Sequence, residues 1–214
     1  MGKIIYINFK LIIILVLIVI GFSACTASIV EKPQSFSSID EKTPEFNTFL
    51  EIRHGKEQIE HEEIADGYLY TLLNGILTVS NAEAELWRSD NNWFIEDFRL
   101  GDVDGDGITD FVFSLWKSYS FGNVYPSRMV NDDASVRNHL FIYTIKEKQV
   151  KTIWCSSNLP RPIYSFELYS EGEKTPVSSG MLLKTVEGKY SDDFSETNTE
   201  QYLYTWNKWG FLIT

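Results

Sequence analysis

The chain has 214 residues, with 19 Lys and Arg against 30 Asp and Glu, so its formal charge is −11 at neutral pH. A surface that acidic repels nucleic acid and anionic lipid headgroups, which argues against a polyanion-binding role, and it suits cations. Fourteen Phe, eleven Tyr and six Trp favour β structure and offer material for a binding surface.

The first ten residues carry Lys3 and Lys10 and no acid, and an apolar run from Leu11 to Ile20 follows. Gly21, Phe22, Ser23, Ala24 and Cys25 close it. This is the basic, apolar and small-residue order of a secretory signal, predicted as a signal helix over 1–24. The apolar run is shorter than the roughly 20 residues a spanning helix needs. Ile4 and Ile5 lengthen it, which leaves a retained membrane anchor as the other reading. Met-Gly is followed by Tyr6 where myristoylation needs Ser or Thr. Phe22-Ser23-Ala24-Cys25 resembles the lipobox of bacterial lipoproteins, with Phe in place of the usual Leu. The resemblance implies a lipid on Cys25, cleavage before it, and anchoring on the extracytoplasmic side of a bacterial cell membrane. Two acyl chains anchor durably, since each buried methylene contributes about 0.8 kcal/mol.

Loss of residues 1–24 removes two Lys and no acid, leaving 17 basic against 30 acidic residues, a balance of −13. Cys155 would then be the lone thiol, so no disulfide framework exists. Its place in an apolar pattern predicts a small buried hydrophobe. The remaining ~150 structured residues suffice for one core.

Residues 25–48 are rich in Ser, Thr, Glu, Lys and Pro without a sustained period, and read as a flexible tether. Residues 49–66 read as a charged transition, with a helical hint in the spacing of Ile52, Ile59 and Ile64. His54, His61, Glu62 and Glu63 raise the idea of a metal site, but seven residues separate the two His, and a solvated charged face fits better. From 67 to 214 the pattern is β: short runs rich in Tyr, Val, Ile, Phe and Trp are bounded by turn residues. Asn74-Gly75 marks a tight turn.

An internal repeat runs through this region. Ile76–Ser89 and Phe141–Ser156 each read as strand, turn and strand ending in Trp-x-Ser, with Trp87 and Trp154 offset by 67 residues. New apolar strands follow, Trp93–Leu100 and Ile163–Tyr169. A third copy begins at Gln201, where Leu203-Tyr204-Thr205 echoes Ile142-Tyr143-Thr144. Asp132-Asp133-Ala134-Ser135 and Asp192-Asp193-Phe194-Ser195 echo each other as well. About four strands per unit is the content of a propeller blade. About 2–2.5 units fit, too few for closure. The expected fold is all-β, an open propeller-like fragment of successive antiparallel sheets, with a β-sandwich as the alternative.

One motif is sharp. In Leu100–Phe113, acidic residues fall at loop positions 1, 3, 5 and 9: Asp102, Asp104, Asp106 and Asp110. Gly107 stands where the chain must turn, and Ile108 where a backbone carbonyl would supply a ligand. Calcium takes six to eight oxygens, and this spacing curls oxygens around one point. Phe113 stands where an EF-hand has Glu, and the flanks look like strands, so an EF-hand is excluded. The strand, Asp-x-Asp-Gly-Asp-Gly-x-x-Asp loop and strand resemble the FG-GAP or VCBS repeats of integrin-like propellers, closely over about 25 residues. The resemblance implies a loop that joins the first two strands of a blade and holds calcium. It assigns the ligands to Asp102, Asp104, Asp106 and Asp110 and to the carbonyl of Ile108, with a structural role. Tyr169-Ser-Glu-Gly-Glu-Lys-Thr occupies the corresponding place in the next unit with too few acids, so no second ion is expected.

A long insertion between Trp116 and Asn138 supplies a candidate binding surface. Trp116, Tyr119, Phe121 and Tyr125 offer stacking, Lys117, Arg128 and Arg137 could meet anions, and Asp132 and Asp133 could accept from hydroxyls. The same residues also read as an aromatic loop covering the end of the sheets. No Ser-His-Asp, HExxH, nucleotide-loop or CxxC pattern occurs, which points away from an enzyme. His139, at the start of a strand, reads as a packing residue. The leading expectation is a membrane-anchored, calcium-stabilised, non-catalytic module that binds a glycan, peptide or envelope protein. The alternative is a cell-envelope hydrolase or its accessory subunit.

Overall fold

Short antiparallel strands, each paired with its neighbour in sequence, build most of the architecture. The computed structural model describes residues 43–54, 60–119, 133–170 and 181–214. Cys25, the apolar run and most of the tether lie outside the described residues.

A helix, α1 (Pro44–His54), opens the described chain. Thr43 caps it: its hydroxyl accepts from Phe46 N at 3.2 Å and its carbonyl from Asn47 N at 3.0 Å. Pro44 suits the first helical position, and Glu45 favours the positive end of the helix dipole. The last residues of the predicted tether, 44–48, are therefore helical and not a flexible stalk. The physical reason is the buried pair Phe46 and Phe49, which stands on one face of the helix and docks on the β core.

Twelve strands follow among the described residues. The first sheet contains β1 (Glu60–Ala65), β2 (Tyr68–Leu73), β3 (Ile76–Ser80) and β4 (Glu85–Arg88) in that order. The middle sheet contains β5 (Trp93–Gly101), β6 (Asp110–Ser118), β7 (Val136–Lys146) and β8 (Gln149–Cys155). The last contains β9 (Ile163–Ser170), β10 (Met181–Glu187), β11 (Glu200–Trp206) and β12 (Phe211–Ile213). Every pairing is antiparallel between neighbours in sequence. Among the described residues the fold is thus all-β beyond one short helix, made of successive meander sheets, as the sequence predicts.

The sheets number three, not two and a half, because β1 lies inside the segment read as a transition. Asn74 and Gly75 both have positive φ, 52° and 78°, between Leu73 and Ile76, the geometry of a type I′ hairpin turn. Asp66 and Gly67 repeat it at 51° and 80° between Ala65 and Tyr68. That second Asp-Gly dipeptide is the signal for β1 that the helical hint masked.

The repeated segments occupy matching strands. Ile76–Ser89 is β3–β4, Phe141–Ser156 is β7–β8, and the copy from Gln201 is β11–β12. The serines of the two Trp-x-Ser motifs do the same work. Ser89 Oγ accepts from Leu77 N at 3.1 Å while Ser89 N donates to Leu77 O at 2.8 Å. Ser156 Oγ accepts from Leu140 N, and Ser156 N donates to Leu140 O, both at 3.0 Å. Each buried serine closes the ladder where the pairing strand ends. The tryptophans also correspond. Trp87 packs its ring on Phe111, Phe113 and Tyr143 of the following sheet, and Trp154 packs on Trp206 and Phe211 of the sheet after.

The middle sheet is covered on both faces. Phe111, Phe113 and Leu115 of β6 pack with Tyr70, Leu72, Leu77 and Val79 of the first sheet. Val112 of β6 and Leu140 and Ile142 of β7 pack with Ile163, Phe166 and Leu183 of the last. Successive side chains of β6 point to opposite faces, and its first eight residues are all buried. The third cluster joins Phe46 and Phe49 of α1 to Trp116, Val136 and Phe194.

Candidate cation-binding loop

The acidic loop is the link between β5 and β6, the first two strands of the middle sheet. Gly101 pairs with Asp110 across the open end of this hairpin, so residues 102–109 form the turn itself. Gly105 and Gly107 have φ of 77° and 82°, a left-handed conformation that suits glycine.

The loop folds around its own carboxylates. Asp102 Oδ1 accepts from Gly105 N at 2.8 Å and Asp106 N at 3.0 Å, and Oδ2 accepts from Gly107 N at 2.9 Å. Asp104 Oδ1 accepts from Asp106 N at 3.2 Å, and Asp106 Oδ1 from Ile108 N at 2.9 Å. These are the local side-chain-to-backbone bonds that Asp favours in turns. They bring one oxygen each of Asp102, Asp104 and Asp106 within 4.8 Å of one another. A carboxylate oxygen has two lone pairs, so these bonds leave capacity for a further partner.

Asp110 is the fourth acid of the motif but stands outside that trio, at the start of β6. It is fully buried. Its Oδ2 accepts from Val103 N at 2.9 Å, while its Oδ1 has no hydrogen bond. Thr144 stands directly opposite on β7, its hydroxyl favouring the anion without reaching hydrogen-bond geometry. Burial pushes the Asp110 carboxyl up to about 6; the Val103 N–H bond opposes this, and the charges of Asp104 and Asp106 add to it.

Among the described residues one cation reaches the loop. Lys146 Nζ donates to Asp106 Oδ2 at 2.7 Å, and this bond holds the Asp106 carboxyl below its usual range. The sequence motif does not reveal Lys146. It lies 36 residues beyond Asp110, at the end of β7 near Thr144, and only the β6–β7 register brings it to the loop. A single ammonium offsets one of four carboxylates. The donor set is otherwise all oxygen, which matches a hard divalent cation.

The predicted binding surface fares differently. Trp116 is fully buried, enclosed by Phe49, Tyr190 and Phe194. Lys117 is 5% exposed, and its ammonium donates to the carbonyl of Tyr119. Neither is available for stacking or for an anion, because both sit on β6, which is covered on both faces. Tyr119 is half-buried with a φ of 64°. Phe121, Tyr125, Arg128 and Asp132 lie outside the described residues. Asp133 is a turn former: its Oδ1 accepts from Ser135 N at 3.0 Å and Ser135 Oγ at 2.7 Å. Asp193 makes the same pair of bonds to Ser195, at 3.1 and 2.8 Å. The echo between the two Asp-Asp-x-Ser segments is therefore turn chemistry. The Ser135 hydroxyl holds Asp133 below the usual carboxylate range, which does not suit a general acid. Arg137 lies 3.7 Å from Asp133 and stacks its guanidinium over Tyr190.

Other candidates are also fixed by their surroundings. His61 stacks on Phe98 at 4.4 Å and contacts Glu63 at 2.9 Å and Asp97 at 3.4 Å, so it is held against the middle sheet, while its neighbour Glu62 is exposed as a solvated charged face requires. His139 is fully buried in β7, in accord with a packing role, and burial lowers its pKa to about 3. Cys155 is exposed on β8 and not buried as its pattern predicts, because its alternate face carries the packing residue Trp154. Partial burial of the sulfur still raises the thiol to about 11, which makes it a poor nucleophile.

Among the described residues no helix is long and apolar enough to cross a membrane. No protein family, no curated protein and no solved structure matches the chain.

Proposed function

We propose that this protein is a lipid-anchored extracytoplasmic module whose β domain is stabilised by calcium and binds a glycan, peptide or envelope protein without catalysis. The observation that carries the calcium reading is the convergence of Asp102, Asp104 and Asp106 beside the buried, half-satisfied carboxylate of Asp110. A buried carboxylate oxygen without a donor is costly, and a divalent ion would offset that cost. Asp102, Asp104, Asp106 and Asp110, with the carbonyl of Ile108, would hold it, and it would supply charge neutralisation. The position of the loop, between the first two strands of a four-stranded sheet, also supports the likeness to FG-GAP and VCBS repeats.

The ion's role is structural. It would fix the β5–β6 turn and so the register of the strand on which the core is built. At millimolar calcium and a dissociation constant about ten-fold lower, linkage gives about 1.4 kcal/mol of stabilisation. That corresponds to a melting-temperature rise of about 3–6 °C for a domain of this size. The test is thermal unfolding with calcium and with a chelator. The rise should vanish in the double variant Asp102→Ala, Asp110→Ala. An unchanged wild-type melting temperature sinks the reading. Anchoring is tested by metabolic labelling with a fatty acid, which Cys25→Ala should abolish.

The hydrolase alternative loses support from the turn role of Asp133, whose carboxylate is committed to Ser135.

A further inference from the structure

A cavity of about 100 Å³ lies between the middle and last sheets, remote in sequence from the acidic loop. Its wall is apolar: Leu140 of β7, Trp154 of β8, Ile163 of β9, Leu183 of β10 and Phe211 of β12. It is half open, and the β8–β9 connection, through Leu159, Pro160 and Arg161, forms its rim. Natural cores hold few voids of this size, and apolar ones stay dry and accept apolar guests.

The polar end of the cavity is built. Glu187 is 5% exposed and fully engaged. Its Oε1 accepts from Thr185 Oγ1 at 2.8 Å and from Tyr204 OH at 2.5 Å, and its Oε2 accepts from Arg161 Nε at 3.0 Å. The guanidinium of Arg161 also lies 4.1 Å over the ring of Tyr202. Arg161 is thus held by Glu187, by the ring of Tyr202 and by the Tyr204 hydroxyl, with 38% of its side chain exposed at the mouth. Its terminal nitrogens are the natural partners for an anion, since a planar guanidinium can meet a carboxylate with two parallel N–H donors.

We infer that this cavity is a binding site for a small amphiphile, with an aromatic or branched aliphatic group among Leu140, Trp154 and Leu183 and a carboxylate on Arg161. The volume admits one such group and little more. A ligand without an apolar group would leave the wall unpaired with anything but water. A cationic ligand would meet Arg161 at the entrance. The inference goes beyond the calcium reading and stands on the cavity alone, so either can fail without the other.

The probes are 3-phenylpropanoate and its amide, added to the full-length protein and followed by NMR. Ring protons of the acid should show contacts to the methyl groups of Leu140 and Leu183, with dissociation constants in the millimolar range or tighter. Arg161→Gln should weaken the acid by about ten-fold and leave the amide unchanged, since Thr185 and Tyr204 still hold Glu187. Leu159→Trp should fill the mouth and abolish both. The contacts in the unaltered protein are read independently of whether that variant folds. Absence of binding up to about 10 mM, contacts to other residues, or equal binding of acid and amide in the unaltered protein would overturn the inference.

Discussion

At the scale of single residues, the acids of this protein divide by what each one faces. Asp133 and Asp193 are spent on turns, Glu187 on an enclosed network, and Asp102, Asp104 and Asp106 on a shared loop. Composition shows none of this division, although the spacing of the loop does. His139 shows how burial sets chemistry. It is neutral in the folded state because its pKa is lowered to about 3 by burial and by the nearby Lys117 charge, whereas in the unfolded chain it titrates near its ordinary value of 6.5. The unfolded state therefore binds more protons between those two values, and stability is full above about pH 6.5 and lost as pH falls toward 3. His139→Leu should flatten that loss: between pH 7 and 4.5 the melting temperature of the variant should fall less than that of the parent. Equal slopes would show that other groups dominate.

At the scale of elements, the decisive piece is α1. A Thr-Pro-Glu start is a helix signal, yet the surrounding Ser, Thr, Lys and Pro residues disguise it as tether. What stabilises the helix is not its sequence pattern but the pocket that receives Phe49. The Phe49 ring lies 4.9 Å from Phe194, 5.3 Å from Trp116 and 5.4 Å from Phe94. Glu45 adds an acceptor for Val136 N at 3.0 Å, and Thr43 bonds Ser118 at 2.7 Å. The helix thereby closes the end of β6 opposite the acidic loop. Phe49→Ala should cost about 3–5 kcal/mol, measured by urea unfolding. A cost below 1 kcal/mol would mean that the helix is detachable. The same element explains why Trp116 is no ligand residue: a helix not legible as such covers it.

At the scale of the whole molecule, the middle sheet ties the structure together. Its two faces carry separate clusters, one shared with each neighbour, so neither outer sheet is dispensable. Ending the chain after Ser157 would uncover Val112, Leu140 and Ile142. At about 1.5–3 kcal/mol per side chain, that loss is comparable to the total stability of a typical domain. The shortened protein should show no cooperative melting transition by circular dichroism. Retention of one would mean that the first two sheets fold as a unit.

The sequence alone determined the strand content, the repeat of Trp-x-Ser, the hairpin at Asn74-Gly75 and the acidic loop. These are local patterns, written in periods of two and in turn residues, and the chain reads them within a few neighbours. Only the tertiary structure decided which residues face what. Lys146 meets Asp106 through the β6–β7 register, Trp116 disappears under α1, and Arg161, Glu187 and Tyr204 gather at the mouth of a cavity. Each of these depends on strands and layers far apart in sequence. Their proximity is set by how apolar faces stack, which no local spacing encodes.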